Sequence, residues 1–244
     1  MIQTVIHTTP RAAAEAVAQF LADCLEEDPA LVMGLPTGRT PVDMYRHLVR
    51  LHRQGRADFS RATTFNLDEF VGIDHTHPGS YHAFMARHLF AHVNLRADRV
   101  HLPDGMAKQP GAEAARYDAL IAAAGGLDVA VLGIGANGHI GFNEPAKTLP
   151  SGTNVVTLTS PSRASNAGAF GGVTARVPRR AISMGVGTIL SARHVVLLAT
   201  GEGKAAIVKR ALRGPVTTMV PASLLQVHPR AVVVLDRAAA SGLR

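Results

Sequence analysis

Residues 132–145 read LGIGANGHIGFNEP: four glycines, one imidazole (His139), one carboxylate (Glu144) and two carboxamides (Asn137 and Asn143) follow directly on an apolar run. Glycine adopts backbone angles that a Cβ forbids and lets a ligand come close to the main chain. An imidazole can exchange protons with a sugar hydroxyl or ring oxygen near neutral pH, and a neighbouring glutamate can orient the ring. Asp68 and Glu69 follow the apolar stretch TTFNL, where a carboxylate can shuttle a proton; residue type alone does not separate the two. Two further segments suit an anion. Pro36-Thr37-Gly38-Arg39-Thr40-Pro41 brings hydroxyls and a guanidinium to a strand-to-helix turn, whose free N–H groups would cradle a phosphate. The competing reading of that turn is a helix cap made by Thr40. Thr200-Gly201-Glu202-Gly203-Lys204 lacks the spacing of a nucleotide P-loop, yet Lys204 can act as a point charge for a phosphate monoester.

These side chains need a scaffold, and the hydrophobic pattern describes one. Thr9 and Pro10 open a helix over 10–27, with Ala12, Ala16, Phe20 and Cys24 at helical spacing. On that pattern Cys24 is a core residue rather than a nucleophile. Strands are predicted at 30–35, 61–67, near Val100, and at 127–134, 154–158, 194–199 and 230–235. Helices are predicted over 40–54, 80–92, 112–124, 186–191 and 203–213. Short apolar strands separated by helices imply an α/β fold: a doubly wound, mostly parallel, Rossmann-like sheet with helices on both faces. No linker or repeat divides 1–244, so one domain is expected. In such sheets ligands bind beyond the carboxyl ends of the strands. The four polar segments each follow a predicted strand, so parallel strands would gather them on one rim. That convergence is the reason to expect an enzyme.

Composition narrows the partners. The chain has 244 residues, 47% hydrophobic, enough for a sizeable core and too apolar for disorder. The net charge of +7 suits an anionic ligand, but the arginines are scattered. With three tyrosines and no tryptophan there is no evident stacking platform, which argues against nucleic acid. No apolar run approaches the roughly 20 residues of a membrane helix. The N-terminus lacks a secretory pattern, and the single cysteine, Cys24, forms no internal disulfide; both suit the cytoplasm. His75, His77, His82 and His88 form no convincing metal-ligand set, with His75-Thr76-His77 read as a loop. No G-x-S-x-G elbow supports serine-hydrolase chemistry.

Taken in order, GLPTGRTP, TFNLDEF, SYHAFM, LGIGANGHIGFNEP, MGVGTIL and TGEGKA resemble the glucosamine-6-phosphate deaminase family over nearly the whole chain. The resemblance implies conversion of glucosamine 6-phosphate and water to fructose 6-phosphate and ammonia, by aldose–ketose isomerisation with loss of the 2-amino group. It implies that Asp68 moves a proton between C2 and C1, that His139 opens the pyranose ring, and that Glu144 supports it. It places the substrate phosphate on Gly38, Arg39, Thr40, Arg163 and Lys204, beside Thr37 of the same turn, and requires no metal or organic cofactor. The sugar phosphate is then the expected partner, and assembly into a homo-oligomer is left open.

Departures from the family pattern carry their own expectations. Asn137 stands where many members have aspartate; it can orient a neighbour but cannot lend negative charge to an imidazolium. Gly152, Asn154 and Val156 stand where allosteric members carry arginine, arginine and lysine, so activation by N-acetylglucosamine 6-phosphate is not expected. The small residues of SPSRASNAGAFGG suggest a lid at about 160–182 that closes over substrate through Arg163. Alternative readings are a galactosamine-6-phosphate deaminase, a hydrolase resembling 6-phosphogluconolactonase, whose motif lacks the FNEP ending, and a non-catalytic sugar-phosphate sensor. The sensor is disfavoured by the presence of Asp68 and Glu144.

Overall fold

The structure, a computed structural model, describes residues 2–243. Helix α1 (Pro10–Glu27) shows how local sequence sets an element: the Thr9 side chain accepts the Ala12 N–H, and proline occupies the first turn. Its buried stripe of Ala14, Val17, Ala18, Leu21 and Leu25 recurs every three to four residues. In chain order the other elements are β1 (Gln3–His7), β2 (Val32–Leu35), α2 (Val42–Arg53), β3 (Thr63–Asn66), β4 (Asp68–Phe70), α3 (Tyr81–His88), β5 (Val100–His101), α4 (Pro110–Ala123), β6 (Val129–Leu132), β7 (Asn154–Thr157), α5 (Ser160–Asn166), β8 (Arg180–Ser183), α6 (Val186–Leu190), β9 (His194–Ala199), α7 (Ala205–Arg213) and β10 (Ala231–Asp236).

Seven strands form the central sheet in the order β1-β10-β9-β6-β2-β3-β5. Every pairing in it is parallel. Alternate residues of each strand enter different cores. Ala130, Leu132, Val195, Leu197, Val233 and Leu235 pack with residues of α4, α6 and α7. Val129, Val131, Val196, Leu198 and Val234 pack with α1, α2 and α3. The expected doubly wound sheet with helices on both faces is therefore present. From β2 the chain first builds outward through β3 and β5, then returns to the other side of β2 with β6. The switch point lies between β2 and β6, where such sheets leave a crevice for ligands.

A second sheet, in the order β4-β8-β7, is antiparallel. This corrects the sequence reading, which placed 154–158 among the parallel strands and predicted no strand at β4 or β8. Strands of three or four residues are too short to display a periodicity, and β4 follows β3 after the single residue Leu67. Phe70, Tyr81, Phe142, Leu158, Phe170 and Val177 make a small third core beside this sheet. Cys24 packs against the α1–α2 core as expected, and burial, with Glu27 and Asp23 nearby, pushes its thiol up to about 11. Among the described residues no helix is long and apolar enough to cross a membrane.

Candidate active site

The site begins where the chain leaves the main sheet. The Leu67 N–H donates to Leu35 O, the last residue of β2, while Leu67 O accepts from Met184 N. This hands the backbone to the small sheet, and Asp68 becomes the first residue of β4, paired with Ser183. The structure separates the two adjacent carboxylates that residue type could not. Glu69 accepts N–H bonds from Phe70, Tyr81 and His82, and so caps the first turn of α3. Burial still raises it to about 6 against those bonds. Asp68 is 7% exposed and accepts no hydrogen bond from any described residue. Burial first, then the charge of Glu69, pushes its carboxyl up to about 8.

The glycines after β6 are there for contact. A Cβ on Gly135 would lie 2.2 Å from the His139 ring, so the imidazole stacks on bare backbone. Gly141 has φ +56°, and its Cβ position is 3.8 Å from Asp68 Oδ2. One turn thus carries His139 and faces Asp68. His139 Nδ1 lies 3.5 Å from Glu144 Oε2, too far for a good hydrogen bond and an ion pair only when the imidazole is protonated. Asn137 joins the two: its amide donates to Glu144 Oε2, and its carbonyl oxygen accepts from the His139 backbone N–H. Glu144 Oε1 accepts the hydroxyls of Ser162 and Thr159. Burial alone would raise Glu144, but contacts from His139, Ser162 and Asn137 outweigh it and hold the carboxyl at about 2. Asn143 does not join the reacting groups. It is buried, and its amide ties Ile140 O to Met184 O.

Across the switch point, the turn after β2 leaves backbone donors unpaired, an arrangement that suits an anion. Gly38 has φ +101° with open space above it, and the N–H groups of Gly38, Arg39 and Thr40 find no partner among the described residues. Thr40 does not cap α2, whose N-cap is Pro41 with no side-chain bond. Lys204, after β9, reaches across to donate to Ile134 O at 2.7 Å. Burial and then the Arg39 guanidinium lower its pKa, so two cations converge on one space. The Tyr81 hydroxyl donates to Asn166 of α5.

Contacts thus join Asn137, His139 and Glu144, set Gly141 of the same turn beside Asp68, and tie Lys204 both to Ile134 of that turn and to the charge of Arg39. Arg163 does not join them. Its guanidinium donates to the carbonyls of Thr174, Ala175 and Val177, clasping the 160–177 segment to itself. Residues 180–182 belong to β8, so the segment without strand pairing ends before the expected lid boundary. Ser162, Thr159 and Tyr81 were absent from the residues singled out in the sequence; the Thr159-x-x-Ser162 helix start was the available signal. A separate groove of about 760 Å³, lined by Arg46, Arg50, Arg53 and Arg87 among others, lies on the α1–α2–α3 face and shares no residue with the crevice.

An unbonded carboxylate, an imidazole–carboxylate pair and two neighbouring cations at a parallel-sheet switch point are the groups that an acid–base enzyme of the α/β class uses. The chain belongs to the family described as glucosamine-6-phosphate isomerases/6-phosphogluconolactonase, which matches residues 7–234. It is 52% identical over 229 residues to a glucosamine-6-phosphate deaminase of Rhodopirellula baltica, covering 94% of this chain and 91% of that protein. It is 47% identical to glucosamine-6-phosphate deaminase 2 of Bacillus subtilis, covering 93% and 92% of the two chains. Among solved structures it superposes on a monomeric glucosamine-6-phosphate deaminase with a TM-score of 0.96 at 40% identity, covering 99% of this chain and all of the other.

Proposed function

We propose that the chain converts glucosamine 6-phosphate and water to fructose 6-phosphate and ammonia. The 6-phosphate sits between the Gly38–Thr40 N–H groups, the Thr37 and Thr40 hydroxyls, Arg39 and Lys204. The substrate's dianionic phosphate relieves the repulsion between the two cations, so the empty cradle is preorganised for it. His139 takes the proton of the anomeric hydroxyl and returns one to the ring oxygen, opening the pyranose; Glu144 and Asn137 fix its ring. Asp68 removes the C2 proton and delivers it to C1, while a proton passes from the 2-ammonium group to O1, so that C1 becomes a hydroxymethyl group and C2 an imine. Water then adds to the resulting C2 imine, and ammonia leaves. No metal or organic cofactor enters these steps.

The observation that carries this reading is Asp68: a buried carboxylate left without a donor, facing the turn that holds His139. A lactone hydrolase needs no base to move a proton between adjacent carbons. At Gly152 the room for a larger side chain is taken by Asp118, whose carboxylate accepts from Thr153 and lies 2.5 Å from the Gly152 Cβ position. The test is ammonia release from the 6-phosphates of glucosamine and galactosamine, run with wild type and Asp68→Asn. Release from glucosamine 6-phosphate by wild type, lost in a variant that still binds substrate, supports the reading. Normal turnover by Asp68→Asn refutes the proton transfer, and preference for the galactosamine ester reassigns the substrate.

A further inference from the structure

We propose that Ser162 and Thr159 are positioning residues that couple the seating of the 160–177 segment to ring opening, by holding Glu144 in register with His139. The inference rests on the reading of His139 as the ring-opening group. The two oxygens of Glu144 have separate tasks. Oε2 faces His139 Nδ1 and accepts from Asn137; among the described residues Oε1 accepts only from Ser162 and Thr159. Ser162 is 3% exposed, so its hydroxyl has little water to turn to instead.

Both hydroxyls belong to the start of α5. Thr159 is its N-cap, accepting from Ser162 N while donating its own proton to Glu144. The far end of α5 is tied down as well, by Asn166 to the Tyr81 hydroxyl. Arg163, in the middle, gathers the carbonyls of Thr174, Ala175 and Val177. The segment is thus one unit whose leading edge is attached to a carboxylate of the site. When it is seated, Glu144 is fully bonded and aligned. When it lifts, Oε1 loses both donors and the carboxylate is free to rotate off the imidazole. Ring opening then proceeds only under a seated segment, which keeps the reactive open-chain sugar away from bulk water.

The test compares Ser162→Thr with Ser162→Val, which match in shape and differ in the hydroxyl, with Ser162→Ala carried alongside because it adds no bulk. The expected result is that Thr keeps kcat within about twofold of wild type. Val and Ala lose about tenfold or more, the scale of one hydrogen bond to a charged group. KM, the affinity for inorganic phosphate and the melting temperature stay near wild type in all three, because the phosphate cradle is untouched. Thr and Val behaving alike would overturn the coupling, as would wild-type kcat in Ala or a loss expressed in KM alone. A wild type that releases no ammonia removes the functional reading and this inference with it. An active wild type with an indifferent Ser162→Ala removes the coupling alone.

Discussion

Asp68→Asn is expected to make the protein more stable as it makes it inactive, and the gain should depend on pH in a defined way. A free aspartate ionises near 3.9, whereas Asp68 in the fold is raised to about 8 by burial and by Glu69. A raised carboxyl binds its proton more tightly in the folded state, so the fold is favoured at low pH and loses stability as pH climbs from about 4 toward 8. At pH 7 the folded chain forgoes about three pH units of ionisation, each worth about 1.4 kcal/mol, or up to about 4 kcal/mol in all. Asparagine carries no such penalty. Its additional N–H can cost about 1–3 kcal/mol if it finds no acceptor, but that cost does not vary with pH. Glu69 titrates in both proteins and its contribution cancels to first order. Urea denaturation of both proteins from pH 4 to pH 9 should therefore show the stability difference moving in favour of the variant by several kcal/mol and levelling off above pH 8. A difference that is flat across that range would refute the assignment of Asp68 as a buried, unpaired carboxylate poised to act as a base.

The same titration predicts that kcat/KM has an acidic limb near pH 8, since the base must be ionised. Glu69→Gln removes the second cause of the Asp68 shift, so its limb should move to lower pH; a limb that stays in place argues against the carboxylate pair. Gly135→Ala drives a methyl into the His139 ring and should lower kcat by at least tenfold, with phosphate affinity by calorimetry little changed. Arg39→Ala or Lys204→Ala should raise KM and weaken inorganic phosphate binding at least tenfold, as expected for loss of a charge-assisted contact; unchanged phosphate affinity in both would remove the cradle. Adding N-acetylglucosamine 6-phosphate should not raise the initial rate, because Asp118 fills the space beside Gly152; a clear activation would contradict this.

Local chemistry along the chain was sufficient for much of this protein. Thr9-Pro10 marks the start of α1, the uninterrupted apolar runs mark β2, β6 and β9, and the polar segments that follow them had to share a rim once the strands were parallel. The residue types at 36–41, at 68–69 and at 137–144 already pointed to an anion grip and a proton-transfer pair, because glycine, imidazole and carboxylate carry their chemistry wherever they are placed. Other features exist only between distant segments. Residue type does not distinguish Asp68 from Glu69; the difference is the N-terminus of α3, which supplies two N–H groups to Glu69, beside that of Phe70, and none to Asp68. The short β4 and β8 strands are stabilised by each other rather than by any pattern of their own. Arg163 looks like a phosphate ligand by type, yet the segment folds so that its own carbonyls claim the guanidinium, and Ser162 turns to Glu144 instead. Residue type decides which reactions are open to a side chain, but burial and hydrogen-bond partners, which depend on packing across the whole chain, decide which of them it performs.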